Sequence, residues 1–140
     1  MSLPLVKSKV KSDLERARKR LEYSFNKVRN QSFVHELEES ELEVLESFSS
    51  RFARFSDLII ARYFRLLVLE KDPAFRGSLI DLLNQAEKQG WISSREVWLR
   101  IRELRNLAAH DYEAENYQAL YEELIRLTPE LLKVSMHLWD

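Results

Sequence analysis

"LESFSSRFARFSDLIIARYFRLL", Leu45 to Leu67, places apolar side chains at Leu45, Phe48, Phe52, Phe55, Ile59, Tyr63 and Leu66. Steps of three and four residues put all seven on one face of an α-helix, whereas a half-buried strand would alternate every second residue. Four of the seven are aromatic, so the stripe is far too large to leave in water and must be covered by other elements. The stretch contains neither glycine nor proline. It is predicted to stop before Asp72-Pro73, because the residue ahead of a proline is biased away from the helical region. A long helix with a heavy aromatic face needs helical partners of similar length, and the rest of the chain is read around that demand.

Upstream, Val10, Leu14, Ala17, Leu21, Phe25 and Val28 repeat the same spacing and predict a first long helix. The segment Asn30 to Ser32 is the expected break. Ser40 and Glu43 are placed as a capping box for the second helix. Downstream, a third helix is expected from Ser78 to Gln89, with Ile80, Leu83 and Ala86 inward and Gly90 as its stop. Ser93 or Ser94 then caps a fourth helix, whose stripe is Val97, Ile101, Leu104 and Ala108. Tyr117, Leu120, Leu124 and Ile125 mark a fifth, and Thr128-Pro129 starts a sixth or kinks the fifth. Long helices joined by short turns predict an all-α fold, an antiparallel up-and-down helical bundle of four main helices plus short C-terminal helices. Residues 1–140 read as a single domain, with no repeat and no linker.

Composition narrows the function. The 140 residues are 45% hydrophobic and 32% charged, a globular mixture that needs no covalent staples at this length. Absence of cysteine excludes a disulfide scaffold and thiolate metal ligation. No apolar run has the length of a secretory signal or a membrane span, so the expected address is the cytoplasm, with no membrane partner. A net charge of −1 argues against nucleic-acid binding by bulk charge. The charge is unevenly distributed, however. Residues 7–29 hold nine Lys or Arg against three acids, and residues 36–46 hold six glutamates and no base. Solvated helix faces produce such blocks, and so do surfaces that steer a partner.

The chemistry concentrates in "RNLAAHDY", Arg105 to Tyr112. At about 100° per residue, Arg105 lies roughly 70° off the fourth helix's apolar stripe, and Asn106 and His110 lie nearly opposite it. The motif is therefore expected to point away from the core, toward a ligand or a second chain. Arginine offers a fixed cationic fork suited to phosphate, and histidine exchanges a proton near neutral pH. Together they suffice to cleave RNA without metal: the imidazole helps activate a ribose 2′-hydroxyl while the guanidinium steadies charge on the phosphorane. His35, His110 and His137 are far apart in sequence, no ligand spacing joins them to acidic pairs, and no metal or other cofactor is expected.

The run Arg105-Asn106-Leu107-Ala108-Ala109-His110 matches R-N-x3-H, and in it the chain resembles HEPN domains. Its extension, His110-Asp111-Tyr112, resembles the HepT branch and the related nucleotidyltransferase substrate-binding proteins. The order of elements in "QGWISSREVWLRIRELRNLAAHDYEAENYQALYEEL" is similar to that branch, as is "LESFSSRFARFSDLIIARYFRLL" to its long second helix. The resemblance covers about residues 40–130 and is weakest over the basic first helix. It implies a dimer with two motifs facing one shared cleft, and a cognate minimal nucleotidyltransferase as partner in a toxin–antitoxin pair. It further implies that Arg105 and His110 act as the ribonuclease residues with Asn106 as polar support, and that Tyr112 accepts AMP.

Other residues carry competing readings. Arg51, Arg54, Arg62 and Arg65 lie within about 80° of one another on the second helix. They form either a ridge that tracks RNA phosphates or a solvated flank paired with glutamates from a neighbouring helix. Arg102 shares the flank of Arg105 and is either a second phosphate contact or a plain surface arginine. Trp91 and Trp98 can stack on a base but are better placed for packing. His35 and His137 read as surface residues, and Tyr117 and Tyr121 as core or seam. A homodimer seam is expected along Trp98, Arg102, Arg105 and Ala109. Three functions stay open: a metal-independent endoribonuclease toxin neutralised by AMP transfer, a non-catalytic substrate-binding subunit of a nucleotidyltransferase complex, and a bundle whose Arg–His motif only ties chains together.

Overall fold

The computed structural model describes residues 3–110 and 117–140, position 110 by its backbone alone. Every regular element among them is a helix: α1 (Leu3–Val28), α2 (Glu39–Asp57), α3 (Arg65–Lys71), α4 (Leu79–Lys88), α5 (Arg95–His110) and α6 (Tyr117–Leu132). A π-helical segment, Leu58–Phe64, joins α2 to α3 without a break. The run from Glu39 to Lys71 is thus the long second helix expected from the sequence, and it does end before Asp72-Pro73. No helix among the described residues is long and apolar enough to cross a membrane.

All six predicted stripe residues of α1 are buried, as are Leu45, Phe48, Phe52, Phe55, Ile59 and Tyr63 of the second run. Leu66 is the exception. It is half-exposed, and Leu67 and Val68 are buried in its place. The π segment explains the shift, since its wider turn changes the phase that a uniform 3.6-residue period assumes. Within it Leu58, Ile59 and Ile60 are all buried, which three consecutive residues of a regular surface helix rarely achieve.

α2 sits centrally, in contact with α1, α5 and α6. Arg51 of α2 donates to Ser24 Oγ of α1 at 2.9 Å, and Arg62 of the π segment donates to Asp13 of α1 at 3.2 Å. Phe25 stacks on Phe48 between the same helices. Behind the chain terminus, the Tyr63 hydroxyl donates to the Ser135 carbonyl (2.8 Å) and accepts from the Leu138 amide (2.9 Å), while Trp139 meets its ring edge-on.

The helix ends follow local chemistry, with the α2 box and Ile80 corrected and the two alternatives at Thr128-Pro129 reduced to one. The α2 box is not Ser40–Glu43: the helix begins at Glu39, and the Glu41 carboxylate accepts from the Glu38 amide at 2.9 Å. Gln31 and His35 also converge on Glu41, two residues before the predicted Glu43. Ile80 is 53% exposed because the buried positions of α4, Leu82, Leu83 and Ala86, are centred about 120° around from it. Thr128-Pro129 starts no new helix. Pro129 lies inside α6 near its end, where one lost amide costs a single late hydrogen bond. The stop at Gly90 is as expected: its φ of 79° closes α4 with Gly90 N–H to Glu87 O and Trp91 N–H to Ala86 O. Ser94 Oγ accepts from the Val97 amide at 3.3 Å and opens α5.

One buried ion cluster has a pH consequence. Asp13 is 7% exposed and receives Lys9 at 3.1 Å and Arg62 at 3.2 Å. The Lys9 hydrogen bond first, and then the charges of Lys9 and Arg62, outweigh burial and hold its carboxyl below the ordinary value. A lowered folded pKa means that the unfolded chain binds the extra proton, so this stabilisation is present above about pH 4 and is lost as pH falls below it. Asp13→Asn should therefore flatten the fall in thermal midpoint between pH 5 and pH 2.5 relative to the parent. Parallel acid profiles for the two proteins would show that Asp13 contributes nothing.

Candidate functional site

Asp57, the last residue of α2, faces Arg105 of α5. The guanidinium donates from Nε to both carboxylate oxygens, at 2.9 and 3.1 Å, and from Nη2 to Oδ2 at 2.7 Å. Arg102, one turn earlier on α5, donates from Nη1 to Oδ1 at 3.3 Å. The side chains are 33% (Asp57), 26% (Arg105) and 35% (Arg102) exposed, so the cluster borders solvent. The Asp57 hydrogen bond raises the Arg105 pKa above its already high ordinary value, which keeps the guanidinium cationic at every accessible pH. Two cations share one carboxylate, so the cluster keeps a net positive charge for an incoming anion. Such forked pairs also fix direction, and here they hold Arg105 against the end of α2.

A small cleft of about 190 Å³ lies on the same two helices, without Asp57 or the α5 arginines in its walls. Glu46, Ser49, Ser50 and Ala53 line it from α2, and Ala108 and Ala109 from α5. Ala53 is one turn before Asp57 and Ala109 one turn past Arg105, so the cleft extends the same interhelical seam toward position 110. Its small side chains leave open space at the helix–helix contact. Larger hollows of about 380 Å³ at Trp91–Val134 and about 430 Å³ at Phe33–Ile125 draw no wall from α2.

The predicted residues separate as follows. Arg105 and Arg102 come together on Asp57, although Arg105 was expected to point away from its own chain. Asn106 is exposed, on the outward side as expected. His110 is the last residue of α5, and its side chain and Tyr112 lie outside the described residues. The four-arginine ridge is not one surface. Arg62 pairs with Asp13 of α1 and Arg51 bonds only uncharged oxygens there, whereas Arg54 is exposed and Arg65 half-exposed, and neither of these two meets a carboxylate among the described residues. Trp98 does not belong to an outer seam: it is 1% exposed, with its ring 5.7 Å from Phe64. The difference arises because the core side of α5 is centred on Trp98, Ile101 and Leu104, with Val97 half-exposed. Trp91 packs beside the same Phe64 ring, at 5.6 Å. His35 and His137 are exposed and pair with Glu41 and Asp140. Tyr121 is buried, and Tyr117 is half-buried beside it. Among the described residues no three metal-ligating side chains converge.

Asp57 is the site residue that the sequence reading missed. A signal for it existed. It is the one acid between Glu46 and Glu70, on a helix that carries Arg51, Arg54, Arg62 and Arg65. A lone carboxylate there is costly to half-bury unless a cation meets it, and that cation turns out to come from α5. Asp57 also stands where the regular helix gives way to the π segment, a distortion that often accompanies functional positions.

Fold and site together describe an all-helical chain with an arginine–carboxylate cluster beside a small-residue cleft. No family model matches the chain, and no curated protein matches it.

Proposed function

We propose that the chain is a HEPN-type protein of the HepT-like branch, a metal-independent endoribonuclease that acts as a homodimer. The observation that carries this reading is the placement of Arg105: a guanidinium oriented by Asp57 and cationic at all pH, five residues before His110 on the same helix. On this reading the helices form an antiparallel up-and-down bundle. Its support is the opposite order of the paired residues, Arg51 with Ser24 and Arg62 with Asp13 on one side of α2. Two chains meet along Arg102, Arg105 and Ala109, with the small residues of the cleft permitting close approach and a twofold doubling the catalytic groups.

In the reaction, His110 takes the proton of a ribose 2′-hydroxyl. The 2′-oxygen bonds to the adjacent phosphorus, the bond to the 5′-oxygen breaks, and that oxygen leaves with a proton. The products are a 2′,3′-cyclic phosphate and a 5′-hydroxyl. Arg105 holds the charge on the phosphorane, and Asn106 orients the neighbouring groups. Incubation of RNA with the protein in EDTA tests the proposal, and its variants are argued in the Discussion.

A minimal nucleotidyltransferase is the proposed antidote. Transfer of AMP from ATP to the Tyr112 phenol releases pyrophosphate and leaves a phosphodiester two residues from His110. Its charge competes for the Arg105 fork and closes the site to RNA. Mass spectrometry after incubation with the transferase and ATP should place AMP on Tyr112, and protection that persists in Tyr112→Phe would refute this route.

One observation favours a second reading. Arg105 is already paired within its own chain, as a helix-to-helix tie would be. In that case Asp57→Ala and Arg105→Ala lower thermal stability alike, by about 1–2 kcal/mol for a partly exposed charged pair, and RNA is untouched by the parent.

A further inference from the structure

α1 carries a stripe of cations that the fold leaves unneutralised. Arg16, Arg20, Tyr23 and Lys27 fall within about 60° of one another around the helix and cover about 16 Å of its length. All four are exposed, and the acids of the same stretch, Glu15 and Glu22, lie on other faces. Several other cations are paired: Arg18 with Glu22, Lys9 and Arg62 with Asp13, Arg100 with Glu123. Arg16, Arg20 and Lys27 meet no carboxylate among the described residues. In a chain of net charge −1, this local excess is a feature of placement rather than composition.

Tyr23 distinguishes the stripe from an ordinary solvated face. Its ring is 60% exposed, with Lys27 Nζ 4.6 Å from its centroid and the Arg51 guanidinium 5.9 Å away. Both cations lie over the ring in cation–π contact, and a base that displaces them from its face would stack on the ring while they take the flanking phosphates. Arg51, anchored on Ser24 Oγ and the Arg20 carbonyl, bridges the stripe to α2. The exposed Arg54 lies three residues further along α2, and Asp57 with Arg105 three residues beyond that. Cations thus recur at intervals from α1 across α2 to the arginine cluster, winding about 120° around α2. The other large exposed apolar side chains of α1 among the described residues are Leu3 and Leu5, about five turns or more away. A lipid surface would want apolar residues next to the aromatic.

We infer that the Arg16–Arg20–Tyr23–Lys27 stripe of α1 is a docking surface for single-stranded RNA. It holds the strand whose other end reaches Arg105, and in this it rests on the ribonuclease reading. A strand bound there is gripped by phosphate contacts and one stacked base, so the surface adds affinity and length preference without reading sequence.

The test is fluorescence anisotropy of the full chain with a short unstructured RNA carrying 2′-O-methyl groups, which removes the attacking hydroxyl. Arg20→Glu/Lys27→Glu should weaken binding by about tenfold or more and reduce the log–log salt slope by about 2. Tyr23→Ala should weaken it by roughly 5- to 100-fold with the slope unchanged. Arg20→Gln/Lys27→Gln provides a milder pair, and circular dichroism checks the fold of each variant. Binding that ignores all three variants overturns the inference. Failure of the parent to bind RNA while it binds phosphatidylserine vesicles through Tyr23 overturns it too. A parent that binds through α1 yet cleaves nothing leaves this surface standing and removes the nuclease reading. Cleavage with undiminished binding in the charge-reversed pair does the opposite.

Discussion

Arg105→Ala and His110→Ala are each expected to cut RNA cleavage by about 10²–10³-fold while the parent stays fully active in EDTA. The size follows from the role. A cationic donor aimed at developing charge contributes only in the transition state, so its loss appears in kcat. The fold should persist in Arg105→Ala, because Asp57 is one-third exposed, keeps Arg102 at 3.3 Å and can take up water. Arg105→Lys should recover little, since an ammonium cannot reproduce the fork that both meets Asp57 and presents a planar cationic edge. Asp57→Asn separates positioning from simple fastening. If Asp57 orients Arg105 for chemistry, this variant lowers kcat with a near-parental KM and a modest loss of stability. Gel analysis of labelled RNA with end-group determination gives the readout, a 2′,3′-cyclic phosphate. Cleavage that requires magnesium and survives His110→Ala would sink the ribonuclease reading.

Trp98→Ala should be the most damaging single truncation of the fold, costing about 3–5 kcal/mol. The indole is 1% exposed and lies against Phe64, which in turn contacts Trp91 and Tyr63. That aromatic group joins α5 to the π segment, where five of seven side chains are buried and the backbone is least able to close around a void. A loss of this size is a large fraction of the stability of a domain and should lower the thermal midpoint by roughly 10 °C or more. Trp91→Ala, at a half-exposed position, should cost clearly less. A melting curve for Trp98→Ala within about 3 °C of the parent would mean that this ring does not hold α5 in place.

Legibility of the fold varied with how local the cause was. The α1 stripe was read residue for residue because a regular helix with one apolar face has a fixed period. The stop at Gly90 was equally plain, since only a residue free of Cβ adopts its positive φ without strain. Errors appeared where the period itself changed. Leu66 was placed inward by counting through Leu58–Phe64 at a uniform pitch, and a π turn leaves no mark in hydrophobic spacing. The α2 box was displaced because three donors, two of them from the preceding loop, chose Glu41 over Glu43.

The functional reading divides along the same line. Residue type and order alone determined an all-helical chain, a cation and an imidazole five residues apart on one helix, and a basic first helix set against an acidic segment. These are properties of covalent sequence and helical period, and they hold whatever the helices pack against. Which arginines are free and which are spent was decided only by tertiary structure. Arg51, Arg54 and Arg62 look alike on a helical wheel. Asp13 and Ser24 on α1 take two of them, and Arg54 remains in solvent. Arg105 seemed to face away from its own chain until Asp57, 48 residues earlier, met it with three hydrogen bonds. An ion pair is set by distance in space, and helical period says which way a side chain leaves its own helix but not what stands opposite it.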